Sequence, residues 1–186
     1  MFKIAMIGLG RGVLLFGVNL IFGMAMFAVS AIENNVARCV LSFVLLACGY
    51  AVSFIVCRFA GRADYRTKLV GDIKRKKGDS ELSASGSYHP SKEYRAYKGF
   101  LIGVCACIVP ALFILLAQLT HSDGLRLTLF LIGGWSVLPL VNINSSVNLF
   151  YGLFLCAALC VVTGIAYISG SRKEKFLQFV LSKRAG

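Results

Sequence analysis

Proton-transfer chemistry needs ionisable side chains brought together. In this chain the polar groups outside the basic stretches, ionisable side chains and amides together, are concentrated in three short polar links. Glu33, Asn34, Asn35 and Arg38 form the first, Gln118, His121, Asp123 and Arg126 the second, and Asn142, Asn144 and Asn148 the third. If the links meet at one end of a helical bundle, Glu33, His121 and Asp123 supply acid and base groups. The amides and Arg126 would then orient a polar ligand. The competing reading is a set of ordinary turn residues. His121 and Asp123 stand two apart with no second His nearby, and a metal site needs three or four ligands in fixed geometry, so no metal is expected. The sequence has no P-loop, no HExxH, no GxSxG and no haem or iron–sulfur spacing, so no cofactor is expected either.

The elements that must position these links are apolar. Of the 186 residues 58% are hydrophobic and only 15% charged, with a net charge of +12 and a mean hydropathy of +0.76. Soluble domains carry about 45–50% apolar and about 25% charged residues, and disordered chains are polar, so both classes are excluded. The expected fold class is an all-α integral membrane protein. Four transmembrane helices form two antiparallel hairpins, with a broken re-entrant or interfacial segment between the third and fourth. The length leaves no room for a separate soluble catalytic domain, because each span takes roughly 20 residues.

Residues 12–32 read as the first span, 36–57 as the second, 99–119 as the third and 149–168 as the fourth. The small-x-small triplet Ala28-Val29-Ser30 resembles a signal-peptide cleavage site, but the apolar run before it is longer than an h-region of about 7–15 residues. Residues 127–141 are apolar but short for a crossing, and Gly133, Gly134 and Pro139 interrupt them. The domain organisation is therefore a first hairpin over 1–57, a basic loop over 58–98, a second hairpin over 99–168 with its broken segment at 127–148, and a basic tail over 169–186.

Charge sets the orientation. The N-terminus, the loop and the tail together hold 18 of the 20 Lys and Arg, leaving Arg38 and Arg126 on the other face. The positive-inside rule places the basic side, and both termini, in the cytoplasm. That requires an even number of crossings, which is why 127–141 reads as turning back; a full fifth span is the runner-up. The pI of about 9.6 then reflects orientation and anionic lipid, and no nucleic acid is expected. Tyr65, Leu69 and Ile73 predict a short amphipathic helix on the headgroups, and Phe176, Leu177, Val180 and Leu181 another in the tail. The anionic-lipid contacts expected are Lys74, Arg75, Lys76, Lys77, Arg172, Lys173 and Lys175.

Small residues at i, i+4 mark where membrane helices approach. One ladder is Gly99, Gly103, Cys107 and Ala111, the other Gly152, Cys156, Cys160 and Gly164. They serve either packing within the bundle or contact with another subunit. The seven cysteines, none in a loop and none in CxxC spacing, read as small buried hydrophobes. No ionisable residue stands in mid-span; Asn19 does, and an interhelical hydrogen bond is its expected role. Taken together the residues point to a small multi-pass membrane protein, either an oligomeric transport or channel protein or an accessory subunit of a membrane complex. Its expected partners are the bilayer and a second copy or another membrane subunit. The sparse acid–base groups point away from catalysis. The alternatives are a membrane-embedded enzyme on lipid-linked substrates using Glu33, His121 and Asp123, and a structural or regulatory protein bound to anionic lipid.

Overall fold

The computed structural model describes residues 2–77, 94–144 and 147–184, and side chains within 9–72, 94–144 and 147–172. The described residues are all-helical: α1 (Phe2–Val29), α2 (Asn35–Lys77), α3 (Lys98–Thr120), α4 (Asp123–Val141) and α5 (Tyr151–Arg184). Each contains a stretch long and apolar enough to cross a membrane.

Two elements are longer than the hydropathy suggested. α2 does not stop at Arg58 but runs unbroken to Lys77, so residues 65–73 extend the second helix rather than form a separate one. α5 likewise runs through the tail to Arg184, so the helix expected over 176–181 is part of it. Helix propensity explains this: Arg, Lys, Ala and Leu propagate a helix as readily outside the bilayer as inside it. Residues 78–93 of the basic loop lie outside the described residues.

Matching contacts set the helices in register. Arg11 of α1 meets Asp64 of α2, Asn19 bonds Ser53 at 3.3 Å, and Phe22 lies against Gly49. These pairs run in opposite senses, so the level of Ser42 on α2 corresponds to the end of α1. Gln118 of α3 accepts the Leu149 N–H, Cys107 donates to the Cys156 carbonyl, and Gly103 abuts Cys160, which sets α3 against α5. From Arg11 to Ser30, from Ser42 to Asp64 and from Lys98 to Gln118 the helical rise is about 28, 33 and 30 Å. The bundle thus has a basic end, marked by Arg11, Asp64 and Lys98, and a far end, marked by Ser42 and Gln118. Their separation matches a hydrocarbon core of about 30 Å.

Of the two expected hairpins, α3 and α5 pack closely, whereas α1 and α2 touch each other less than either touches its main neighbour. α2 lies mainly on α5, α1 mainly on α4 and α3, and α3 on α5, so α5 and α3 form the centre. Backbones approach closely where side chains vanish. Gly61 packs on the Tyr167 carbonyl and Gly170 on the Arg58 carbonyl, while Gly103 has Thr163 and the Cys160 Cα against it. Of the cysteines, Cys57, Cys107 and Cys156 are buried, whereas Cys48 is exposed. The reading of all seven as buried fails there because Cys48 stands on a face of α2 that no other helix covers.

α4 is kinked. Gly133 leaves helical geometry at φ −114° and ψ 15°, Pro139 lies in the second half, and residues 133–139 are all buried. Gly133 sits against Pro110 of α3 and Gly134 against Gly23 of α1. Pro110 itself lies within an unbroken α3. Further along, Ser136 and Val137 reach Gly152, at the level of Ile114.

A methyl group at position 103 would fall 2.7 Å from the Cys160 Cα and against Thr163. Gly103→Ala is expected to destabilise the bundle by about 1–3 kcal/mol. Gly17→Ala, where a Cβ meets nothing within 4 Å, should instead gain the helix propensity of Ala. Thermal unfolding of both variants in one detergent checks the opposite signs.

Candidate functional site

At the far end the links are ordered by local capping. The Asn34 carboxamide accepts the Val36 and Ala37 N–H groups at 3.0 and 3.2 Å. It so satisfies donors that the start of α2 leaves open. Asn148 does the same for Phe150 at 3.0 Å, just ahead of α5. Asn35 accepts from Arg38 at 2.7 Å. His121 closes α3 in the left-handed region at φ 50°, an uncommon conformation for a residue with a Cβ. That twist starts α4 only two residues later.

Not all the polar residues of the three links converge. Gln118, Arg126 and Asn148 line one cavity of about 530 Å³, with Phe130, Val141, Val147 and Leu149 as its apolar wall. Glu33, His121 and Asp123 are exposed and are not among its walls. Asn142 is buried and structural: it donates to Ser42 at 2.7 Å, and its carbonyl accepts from the Cys39 thiol at 3.1 Å. Asn144 is exposed beside it, its N–H bonded to the Leu140 carbonyl at 3.1 Å.

Arg126 gives the cavity its character. Its guanidinium is half-buried, and its one ion-pair contact among the described residues is Asp123 at 3.9 Å, whose own side chain is 98% exposed. Its Nε is buried without a hydrogen-bond partner among the described residues. Unpaired donors in a partly desolvated site favour an acceptor that carries charge. The Gln118 carbonyl oxygen is taken by Leu149 at 3.3 Å, so its amide group is left to donate. The cavity is therefore a donor-rich pocket with one cation and an apolar wall, suited to a small anion or a carboxylate-bearing solute. Among the described residues no group of three His, Cys, Asp or Glu side chains could hold a metal ion.

The small-residue ladders face each other inside the chain. Gly103 meets Cys160, and Cys107 lies between Cys156 and Cys160, with the Cys107 and Cys160 sulfurs 3.9 Å apart. Gly99 meets Thr163 and Tyr167, Gly164 meets Phe100, and Gly152 meets Ile114 and Val137. Ala111 is half-buried. Of the expected lipid contacts Arg172 is exposed. The side chains of Lys74, Arg75, Lys76, Lys77, Lys173 and Lys175 lie outside the described residues.

The basic end holds a polar centre that the hydropathy reading missed. Asp64, 2% exposed, receives two hydrogen bonds of 2.7 Å from the Arg11 guanidinium and one of 2.6 Å from the Tyr167 hydroxyl. The equally buried Lys98 ammonium lies 3.7 Å away. Tyr94 stacks on Tyr167 with ring centres 5.2 Å apart and meets Tyr65 edge-on at 5.8 Å. Its N–H donates to the Asp64 carbonyl at 3.0 Å. Tyr94 and Lys98 are thus committed inside the protein rather than to headgroups. The signal was present in the sequence: Asp64 is the first acid after the second span, and Arg11 stands directly before the first. Hydropathy alone places both on polar flanks, because it ends a span at its first charge.

Asp64→Ala removes the carboxylate shared by the buried Lys98 and the half-buried Arg11, and breaking a buried ion pair from one side costs about 3–5 kcal/mol. Tyr167→Phe removes one charge-assisted bond and is expected to cost about 1.5–3 kcal/mol. Chemical denaturation in detergent should rank Asp64→Ala well below Tyr167→Phe, and Tyr167→Phe below the parent. No protein-family model, curated protein or solved structure matches this chain.

Proposed function

We propose that this chain is a four-span membrane protein of the transport type, in which α4 is a re-entrant segment. The cavity that α4 walls at the far end opens away from the cytoplasm and takes a small anionic solute. The observation that carries the reading is that Arg126 and Val141 line the same cavity. On a straight helix residues so far apart would be separated by about 22 Å. The contacts of α4 support a descent and a return: Gly133 at Pro110, Ser136 at Gly152 and Asn142 at Ser42. Broken helices at membrane depth are a device of transporters, because freed backbone groups and dipoles are tolerated where they border a cavity.

Four crossings put both termini on the cytoplasmic side together with 18 of the 20 Lys and Arg. The Asp64 centre then closes the cytoplasmic end, below the open cavity. An acid–base enzyme draws less support, since Glu33, His121 and Asp123 stand apart from the cavity walls. The subunit reading remains as the setting in which such a protein works, with its partner contacting surfaces other than the two ladders.

Two measurements test the proposal. In a cysteine-free background, single cysteines at positions 123 and 144 should label from one side of the membrane, and one at 183 from the other. Labelling of 123 and 144 from opposite sides would show five crossings and overturn the re-entrant reading. For the ligand, small carboxylates and phosphate esters should raise the unfolding temperature of the parent, and the rise should vanish in Arg126→Gln. A set of such anions that stabilises parent and variant alike rules out the cavity as their site.

A further inference from the structure

A second recess lies at the basic end, in the groove between α2 and α5. It has a volume of about 230 Å³ and is bordered by Ile55, Arg58, Phe59, Arg62 and Gly170. We propose that this groove is a binding site for the phosphate of an anionic membrane phospholipid, with one acyl chain lying along Ile55 and Phe59.

Four observations carry this. Arg58 and Arg62 stand at i, i+4 on α2, so their side chains are neighbours on one face, and both border the recess. Guanidinium groups match the geometry of phosphate oxygens in bidentate fashion. Arg58 is exposed, and among the described residues it makes no ion pair, so a positive charge stands open at the mouth.

The floor is backbone. Gly170 comes so close to α2 that it lies against the Arg58 carbonyl, and a Cβ there would stand 3.1 Å from the Arg62 nitrogen. The lack of a side chain on α5 at this crossing leaves the recess open between the two helices. The upper flank is apolar and uncovered: Ile55 and Phe59 are 51% and 65% exposed. They are one helical turn apart and lead from the arginines toward the middle of the span. A free phosphate ion would use the arginines but not this flank. A lipid uses both, with its headgroup at the level where the helices leave the hydrocarbon. The recess is separate from the Asp64 centre, whose bonds go to Arg11 and Tyr167.

The probe is phosphatidylglycerol against phosphatidylcholine of the same acyl chains, read by native mass spectrometry of the purified full-length protein. The parent should retain phosphatidylglycerol with a preference of roughly tenfold, the scale of two charge-assisted contacts. Arg58→Gln/Arg62→Gln should bring the preference close to one, while Arg95→Gln, which removes an exposed charge outside the groove, should leave it. Phe59→Ala should weaken retention of both lipids.

Equal retention of the two lipids by the parent would overturn the proposal whether or not any variant folds. So would a preference that survives in the double variant. Inorganic phosphate is the remaining arm: if it displaces phosphatidylglycerol at millimolar concentration, the site is one for a free anion and the lipid assignment falls.

Discussion

One carboxylate fixes the frame of this protein. Asp64 lies buried on α2 and binds groups from three other helices: Arg11 from α1, Lys98 from α3 and Tyr167 from α5. In a low-dielectric interior a buried charge is tolerable only when paired and hydrogen-bonded, so none of these helices moves along its axis without breaking the set. The constraint matters most for α2, whose 43 residues offer a long helix many alternative depths. Anchoring Asp64 at the basic end brings Ser42 to the far end, where its hydroxyl meets Asn142. It likewise holds α3 and α5 at the levels where Gln118 meets Leu149. The far-end cavity is thus positioned by a polar centre about 30 Å away.

Between the two ends close packing replaces water as the source of cohesion. Lipid offers apolar side chains as good an environment as another helix does, so association depends on how near two backbones approach. Gly61 and Gly170 let α2 and α5 touch through carbonyls, and Gly103 lets α3 rest on the Cys160 Cα of α5. The three cysteines at 107, 156 and 160 extend that seam toward the far end as compact, weakly polar fillers. α4 is seated by the same means. Gly133, Gly134 and Gly23 allow it to bend against α1 and α3, and Ser136 returns a hydrogen bond of 2.7 Å to the Gly133 carbonyl at the kink. Asn19 adds a polar cross-link to Ser53 within the apolar zone.

The two ends differ in how they treat charge. At the basic end the cations next to the centre are paired with Asp64, and Tyr167, which bonds the carboxylate, stacks on Tyr94, which Tyr65 meets edge-on. At the far end Arg126 lines a cavity, and its Nε has no hydrogen-bond partner among the described residues. The first arrangement is closed by its own partners, and the second is not. That asymmetry is what supports the proposed solute site at the far end.

The sequence by itself determined the class of protein, the helical apolar segments, the break in residues 127–141 and the ladders of small residues. These follow from composition and local periodicity, which act through the solvent and through neighbours along one helix. It also identified Gln118, Arg126 and Asn148 as part of a larger polar set. Only the tertiary structure decided which members of that set share a cavity, because Asn142 is consumed by Ser42 and Cys39 while Glu33, His121 and Asp123 stay at the surface. Only it revealed the Asp64 centre. Hydropathy treats every charge as a boundary, whereas partners from three other helices, up to 103 residues apart in the chain, make a charge tolerable inside. Pairing across that distance is a property of register, and register is set by the packed bundle rather than by any single segment.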